Sequence, residues 1–207
     1  MNNSNSHIIQ VYNSRKNLLE ILKTRGFDTS SYDNFSISEI GILTEQDQLD
    51  MLLEDSNNKK IYVKYYINKT IKPPNIYNMI EDLFYLENIL TKKDDLMIIV
   101  KDEPNDTLVQ TVKDIWMQDS IYTSTINIKR LQYNILNHVL VPKHSILSKP
   151  QEIEFKKKFN ILDNNIPDIS YFSPVSLVLG IRPNDIVKIE RKSRTAIKAD
   201  FYRICKL

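Results

Sequence analysis

Few residues in this chain have the types and spacing for chemistry. His7, His138 and His144 are its three histidines, Cys205 is its one cysteine, and it has three glycines. A single cysteine excludes a disulfide framework and a cysteine-based zinc site. His138 and His144 are six apart in an extended, proline-containing segment, which is not zinc-ligand spacing on a helix; packing or hydrogen-bonding roles fit them better. Three glycines cannot form either common phosphate-binding loop, and no Ser or Cys stands in a nucleophile-elbow context. The nearest approach to catalysis is Lys64 in the β-rich run from Ile61 to Ile67. Two-metal nucleases place an acidic residue, one spacer and a lysine on a hairpin strand; the carboxylate holds Mg²⁺ and the lysine stabilises the attacking water. Here Tyr62 stands where the carboxylate must be, and a phenol does not hold Mg²⁺ at neutral pH. Glu154 and Lys156 have the right types at the right spacing, but on a predicted helix. No catalytic residue, metal ligand, cofactor or small-molecule ligand is therefore expected. Lys59, Lys60, Lys64, Lys69 and Lys72, interleaved with Tyr62, Tyr65 and Tyr66, suit either a phosphate backbone or a solvated hairpin end; the net negative surroundings favour the second.

These residues need elements to position them. The stripe of Ile8, Val11, Tyr12, Leu18, Leu19 and Leu22, closed by Gly26, predicts an amphipathic helix over 8–25. Ser36 and Glu39 have capping-box spacing and start a second helix. The stretch 49–54, a polar turn and the run 61–67 read as a hairpin. Pro73 and Pro74 open a helix lined by Ile76, Met79, Ile80, Leu83, Leu86 and Leu90. Residues 96–100 lack polar side chains, as a strand covered on both faces should. A helix over about 106–118, with Leu108, Val112, Ile115 and Trp116 inward, and a strand at 121–126 complete a mixed α/β layer. Further on, Ser148 to Gln151 forms a second capping box for a helix to Phe159. Ser173 and Pro174 open a short helix that Gly180 closes, and 186–191 and 199–207 form a terminal hairpin.

The 207 residues carry 28 Lys+Arg and 26 Asp+Glu. That balance hides an asymmetry. Residues 1–137 hold 15 basic and 19 acidic side chains, net −4, while residues 138–207 hold 13 and 7, net +6. The sign change fits two units with different partners, 1–137 and 138–207. At 26% charged and 42% hydrophobic the chain is globular rather than disordered. Its first residues lack a signal-peptide pattern and its apolar runs are only a few residues long, so a soluble protein of a reducing compartment, not a membrane protein, is expected. The 29 Ile, 21 Lys and 20 Asn against 2 Ala and 3 Gly point to A/T-rich coding.

The residues after His138 carry a resemblance. His138, Val141, Pro142, Lys143 and His144, then Leu147 and Ser148, Ile166 to Ile169, Pro174 and Val175, Leu179 and Gly180 follow in order. Asp185 to Ile189, Arg191, Ser193, Thr195 and Ala196, then Tyr202 and Arg203 complete the series. In this order and spacing they resemble the fifth subunit of eukaryotic DNA-directed RNA polymerases, whose C-terminal part corresponds to a small subunit of the archaeal polymerase. Asn134 and Ile135 fit the same family, as do Lys23, Arg25, Gly26 and Phe27 at the end of the first helix.

The resemblance implies a non-catalytic polymerase subunit of α+β class. Its N-terminal jaw has a restriction-endonuclease-like fold without nuclease activity and lies beside downstream duplex DNA. Its small C-terminal assembly domain docks on the largest subunit. His138, Val141, Pro142, Lys143, His144, Pro174, Gly180, Arg191, Ser193, Tyr202 and Arg203 would then lie in the docking region, and Lys64, Lys69 and Lys72 would face DNA. A divergent Mg²⁺-dependent nuclease and a free-standing nucleic-acid-binding module are the alternatives. Against the family pattern, Asn184 replaces a turn glycine and is the next-best residue for a positive φ. Ser173 replaces an Asp cap, and Lys192 and Ile197 replace a proline and a glycine in the terminal loop. Glu103, Pro104 and Asn105 replace a Thr-Pro-Ser loop, where the acid would weaken phosphate contact. Divergence and composition point to a large cytoplasmic DNA virus, hence host cytoplasm or virion, or else to an A/T-rich protist and its nucleus.

Overall fold

The computed structural model describes residues 2–193 and 195–207. It contains two compact units, Met1–Asn134 and Ile135–Leu207, each with its own mixed sheet.

The first unit begins with α1 (Asn2–Thr24), whose inward stripe buries Val11, Leu18, Leu19, Ile21 and Leu22. The helix stops in a left-handed turn. Gly26 has φ +97°, its N–H reaches the Lys23 carbonyl, and the Phe27 N–H reaches the Leu22 carbonyl at 3.1 Å. This paired closure, with Phe27 buried beside Leu22, satisfies carbonyls that a helix end leaves open. The capping box of Ser36 and Glu39 starts α2 (Ile37–Glu45). β1 (Met51–Glu54) and β2 (Lys60–Tyr66) form the expected antiparallel hairpin, with Met51 opposite Val63. β3 (Asp95–Val100) and β4 (Tyr122–Asn127) extend it in parallel, in the order β1-β2-β3-β4. Every residue of β3 is buried. Leu96, Ile98 and Val100 pack with α3 (Pro73–Ile80) and α4 (Asp106–Asp119). On the opposite face, Asp95 receives Arg25 from the segment after α1, at 2.6 Å.

One inward assignment changes. Leu86 is 67% exposed, because the chain past Ile80 widens into a π-type turn over Glu81–Leu86, with the Glu87 N–H on the Asp82 carbonyl at 2.8 Å. The wider turn falls out of step with the 3.6-residue period, so Phe84 takes the buried position instead. Trp116 is half-buried, and Thr111 fills the inward face of α4 beside Leu108, Val112 and Ile115.

The second unit is built on β7 (Ile186–Ser193) and β8 (Ile197–Lys206), a hairpin longer than its sequence indicates. β5 (Lys143–Ile146) adds to β7 and β6 (Asp168–Ser170) adds in parallel to β8, giving the order β5-β7-β8-β6. Neither added strand has a β-rich pattern. Their extended form comes from pairing with the hairpin edges, where position overrides propensity. α5 (Lys149–Phe159) begins at the Ser148 capping box. It covers one sheet face, where Phe155, Ile166, Ile186 and Ile204 form the core. α6 (Pro174–Leu179) begins where the Ser173 side chain accepts the Ser176 N–H, and ends at Gly180 with φ +70°.

Candidate docking and nucleic-acid surfaces

The strand lysine in the first unit does not stand alone. Asp50 lies one step before the Met51–Val63 pair, and so opposite Lys64 across the hairpin. Its Oδ2 accepts the Lys64 ammonium at 2.5 Å and the Tyr62 hydroxyl at 3.2 Å; its Oδ1 accepts the Tyr65 backbone N–H at 3.1 Å. Burial, then the Asp50 carboxylate, pushes the Tyr62 phenol above its ordinary value and keeps it a donor. Asp50 is the residue that sequence reasoning missed. The signal was present: closing the hairpin about its polar turn sets Asp50 against Lys64. A carboxylate with three donors already on it serves the sheet, and a two-metal centre needs several such oxygens free. Among the described residues no group of three or more His, Cys, Asp or Glu side chains is placed to hold a metal ion.

Of the lysines proposed to face DNA, Lys64 is thus neutralised by Asp50, while Lys69 and Lys72 are exposed in the connection between β2 and α3. Acidic groups share that region: Asn68 donates to Asp47, and Thr70 to Asp102. Glu103, expected to repel phosphate, is held by two guanidinium nitrogens of Arg130 at 3.1 and 2.8 Å, which offsets its charge. Asn105 caps α4 by accepting the Leu108 N–H.

The predicted docking residues of the second unit divide between two sheet faces. His144 stands opposite Ile189, and Arg191 opposite Ala199. By alternation His144, Arg191, Phe201 and Arg203 therefore share one face. Tyr202 points the other way and stacks on Phe155, with ring centroids 4.1 Å apart. Gly180 is buried and serves the end of α6, while Pro174 is exposed at its start. His138 is exposed and closes a turn: its Nδ1 accepts the Leu140 N–H, and its carbonyl accepts that of Val141. This turn leaves Val139 89% and Leu140 82% exposed. Val141 and Pro142 are half-buried, Lys143 is exposed, and Ser193 accepts the N–H groups of Thr195 and Ala196 in the hairpin loop.

Burial pulls the His144 imidazole below its ordinary value; the Pro142 carbonyl at 2.6 Å opposes this and the Arg191 charge adds to it. Burial, then Asp185, pushes the Cys205 thiol up to about 12, so it packs as an apolar group. No helix among the described residues is long and apolar enough to cross a membrane.

Comparison with known proteins converges on the second unit. Residues 133–205 match the family described as RNA polymerase Rpb5, C-terminal domain. DNA-directed RNA polymerase subunit Rpo5 of Thermococcus kodakarensis is 41% identical over 73 residues, 35% of this chain and 89% of that protein. Rpo5 of Archaeoglobus fulgidus is 40% identical over 74 residues, 36% of this chain and 97% of that protein. The Dictyostelium discoideum subunit rpabc1 of DNA-directed RNA polymerases I, II and III is 24% identical over 191 residues, 92% of this chain and 94% of that protein. With the motif order after His138 and the mixed α+β fold that carries it, these matches show that the chain belongs to the Rpb5/Rpo5 family of DNA-directed RNA polymerase subunits.

Proposed function

We propose that this chain is a non-catalytic polymerase subunit whose second unit anchors it on the largest subunit while its first unit forms a restriction-endonuclease-like jaw beside downstream duplex DNA. The observation that carries the anchoring role is that archaeal Rpo5 proteins match over 89% and 97% of their own length while spanning about a third of this chain. The piece that those relatives consist of is the assembly piece. Docking uses the turn at His138, the residues Val141, Pro142, Lys143 and His144 leading into β5, and the exposed end of the β7–β8 hairpin. Apolar Val139 and Leu140 beside a basic hairpin are the composition of a protein interface, in which buried apolar and Arg anchors dominate affinity.

The jaw reading rests on the hairpin-led mixed sheet with Lys64 in its second strand, and the absence of catalysis on an Asp50 carboxylate engaged by Lys64, Tyr62 and Tyr65. Lys69 and Lys72 then make a few screened contacts to phosphate, which position the duplex without reading its sequence. The subunit works in the nucleus of a protist, or in the host cytoplasm and virion if its A/T-rich coding is viral.

Purification of the tagged full chain from producing cells should bring down the largest polymerase subunit; its absence among the recovered proteins overturns the reading. DNA cleavage by the purified chain, lost in Lys64→Ala, would establish the nuclease alternative instead. Tight duplex binding by the isolated chain at physiological salt, falling steeply as salt rises, would establish the free-standing module.

A further inference from the structure

We infer that the Arg191–Phe201–Arg203 face of the terminal hairpin receives an acidic segment of a polymerase partner subunit, its carboxylates on the two guanidiniums and an apolar side chain against the exposed Ile146 and Ile197. The inference rests on the anchoring role proposed above and names the chemistry of what is bound there. Both guanidiniums lie over one ring, Arg191 at 4.7 Å and Arg203 at 5.3 Å from the Phe201 centroid. Stacking fixes each fork while leaving its N–H edge free to take a carboxylate through two parallel bonds. Arg191 makes no ion pair among the described residues, and Arg203 donates one hydrogen bond, to the Asp168 carbonyl at 2.6 Å.

The register keeps acids off this face. Glu190 and Asp200 oppose each other on the other side of the ribbon, where Lys188 pairs with Asp200 at 2.9 Å. What accompanies the arginines is His144, Ser193 and the apolar Ile146, Ile197 and Ala199, with Val187 and Ile189 buried at the base of the same face. Ile197 is 84% exposed and Ile146 40%. Two like charges held on one ring amid apolar surface call for an anionic partner that also brings apolar groups. A protein segment meets both demands. A nucleic-acid backbone meets only the first, and the hairpin lysines suited to it, Lys192 and Lys198, pair across the opposite face.

The test uses the full chain purified with its polymerase from producing cells. Arg191→Lys and Arg203→Lys each introduce an amine that a zero-length carbodiimide joins to a carboxylate in direct contact. Mass spectrometry should find that amide at Asp or Glu of a polymerase subunit. Arg191→Gln should weaken polymerase recovery about tenfold, the scale of one desolvated charge pair, and Arg191→Lys, which keeps the charge but loses the fork, should weaken it less than Arg191→Gln does. An unchanged melting temperature for Arg191→Gln separates lost contact from lost fold. If the polymerase is recovered but no link forms at either position and Arg191→Gln behaves as wild type, the inference is wrong and the anchoring role stands. The inference also fails if Arg191→Gln instead abolishes binding of the full chain to a single-stranded or duplex oligonucleotide. Recovery of no polymerase subunit by the wild-type chain overturns both.

Discussion

Asp50 shows how one side chain can separate a structural from a catalytic reading of the same strand. Its two oxygens hold a lysine, a tyrosine and a backbone N–H across the hairpin. Asp50→Asn weakens the two bonds at Oδ2, to Lys64 and Tyr62, and should destabilise the first unit by about 1–3 kcal/mol, read from denaturant unfolding. A change confined to catalysis would leave the unfolding midpoint where it was. His144 makes an equally local prediction. Folding holds its imidazole neutral through burial and the Arg191 charge, so the folded state binds the proton less readily than the unfolded chain. The stabilisation is present above the ordinary value of 6.5 and is lost as pH falls through the lowered folded value. The His144 ring resonances should titrate below 6.5 and move back toward it in Arg191→Gln; a wild-type midpoint at or above 6.5 contradicts the assignment.

Among the elements, the terminal hairpin carries a backbone conflict. Ile197 adopts φ +60°, a region in which a β-branched side chain is a steric outlier, at the position where the family resemblance expects glycine. Ile197→Gly should stabilise the second unit by about 1 kcal/mol, the relief of that clash less the added freedom of the unfolded chain. A lower melting temperature for this variant would show that the isoleucine packs usefully despite its backbone. Asn184, also at positive φ (+71°), fits its turn without such conflict: the Asp185 N–H closes onto the Arg182 carbonyl at 3.1 Å. At the end of α1 the opposite substitution is costly. A Cβ on Gly26 would stand 3.4 Å from Asp55 Oδ1, and φ is +97°. Gly26→Ala should therefore cost about 1–2 kcal/mol, visible as a lower unfolding midpoint with unchanged slope. Helix starts and stops were legible because their caps are local chemistry, as Ser36, Ser148, Ser173 and Gly180 show. β5 and β6 were not, since Lys143–Ile146 and Asp168–Ser170 are strands only because a hairpin edge is beside them.

For the whole molecule, the near-neutral total conceals two units of opposite sign, −4 over the residues of the first and +6 over those of the second. Cys205, buried in β8 with its thiol pushed up to about 12, reports on the second unit alone. A thiol reagent at neutral pH should label it only as fast as that unit opens, with the rate rising steeply in mild denaturant. Rapid labelling of the native chain would show β8 to be loosely held. From its sequence alone the chain disclosed its family, its caps, its main hairpins and its lack of ordinary catalytic motifs. Those depend on residue order and on neighbours within a few positions. Tertiary structure decided what pairing across distance decides: that Lys64 is held by Asp50, that Leu86 is turned outward by a π-type turn, and that Arg191 and Arg203 flank one ring while Tyr202 faces the core. Each follows from strand register or helical phase: a one-residue slip reverses the first and turns the second by about 100°.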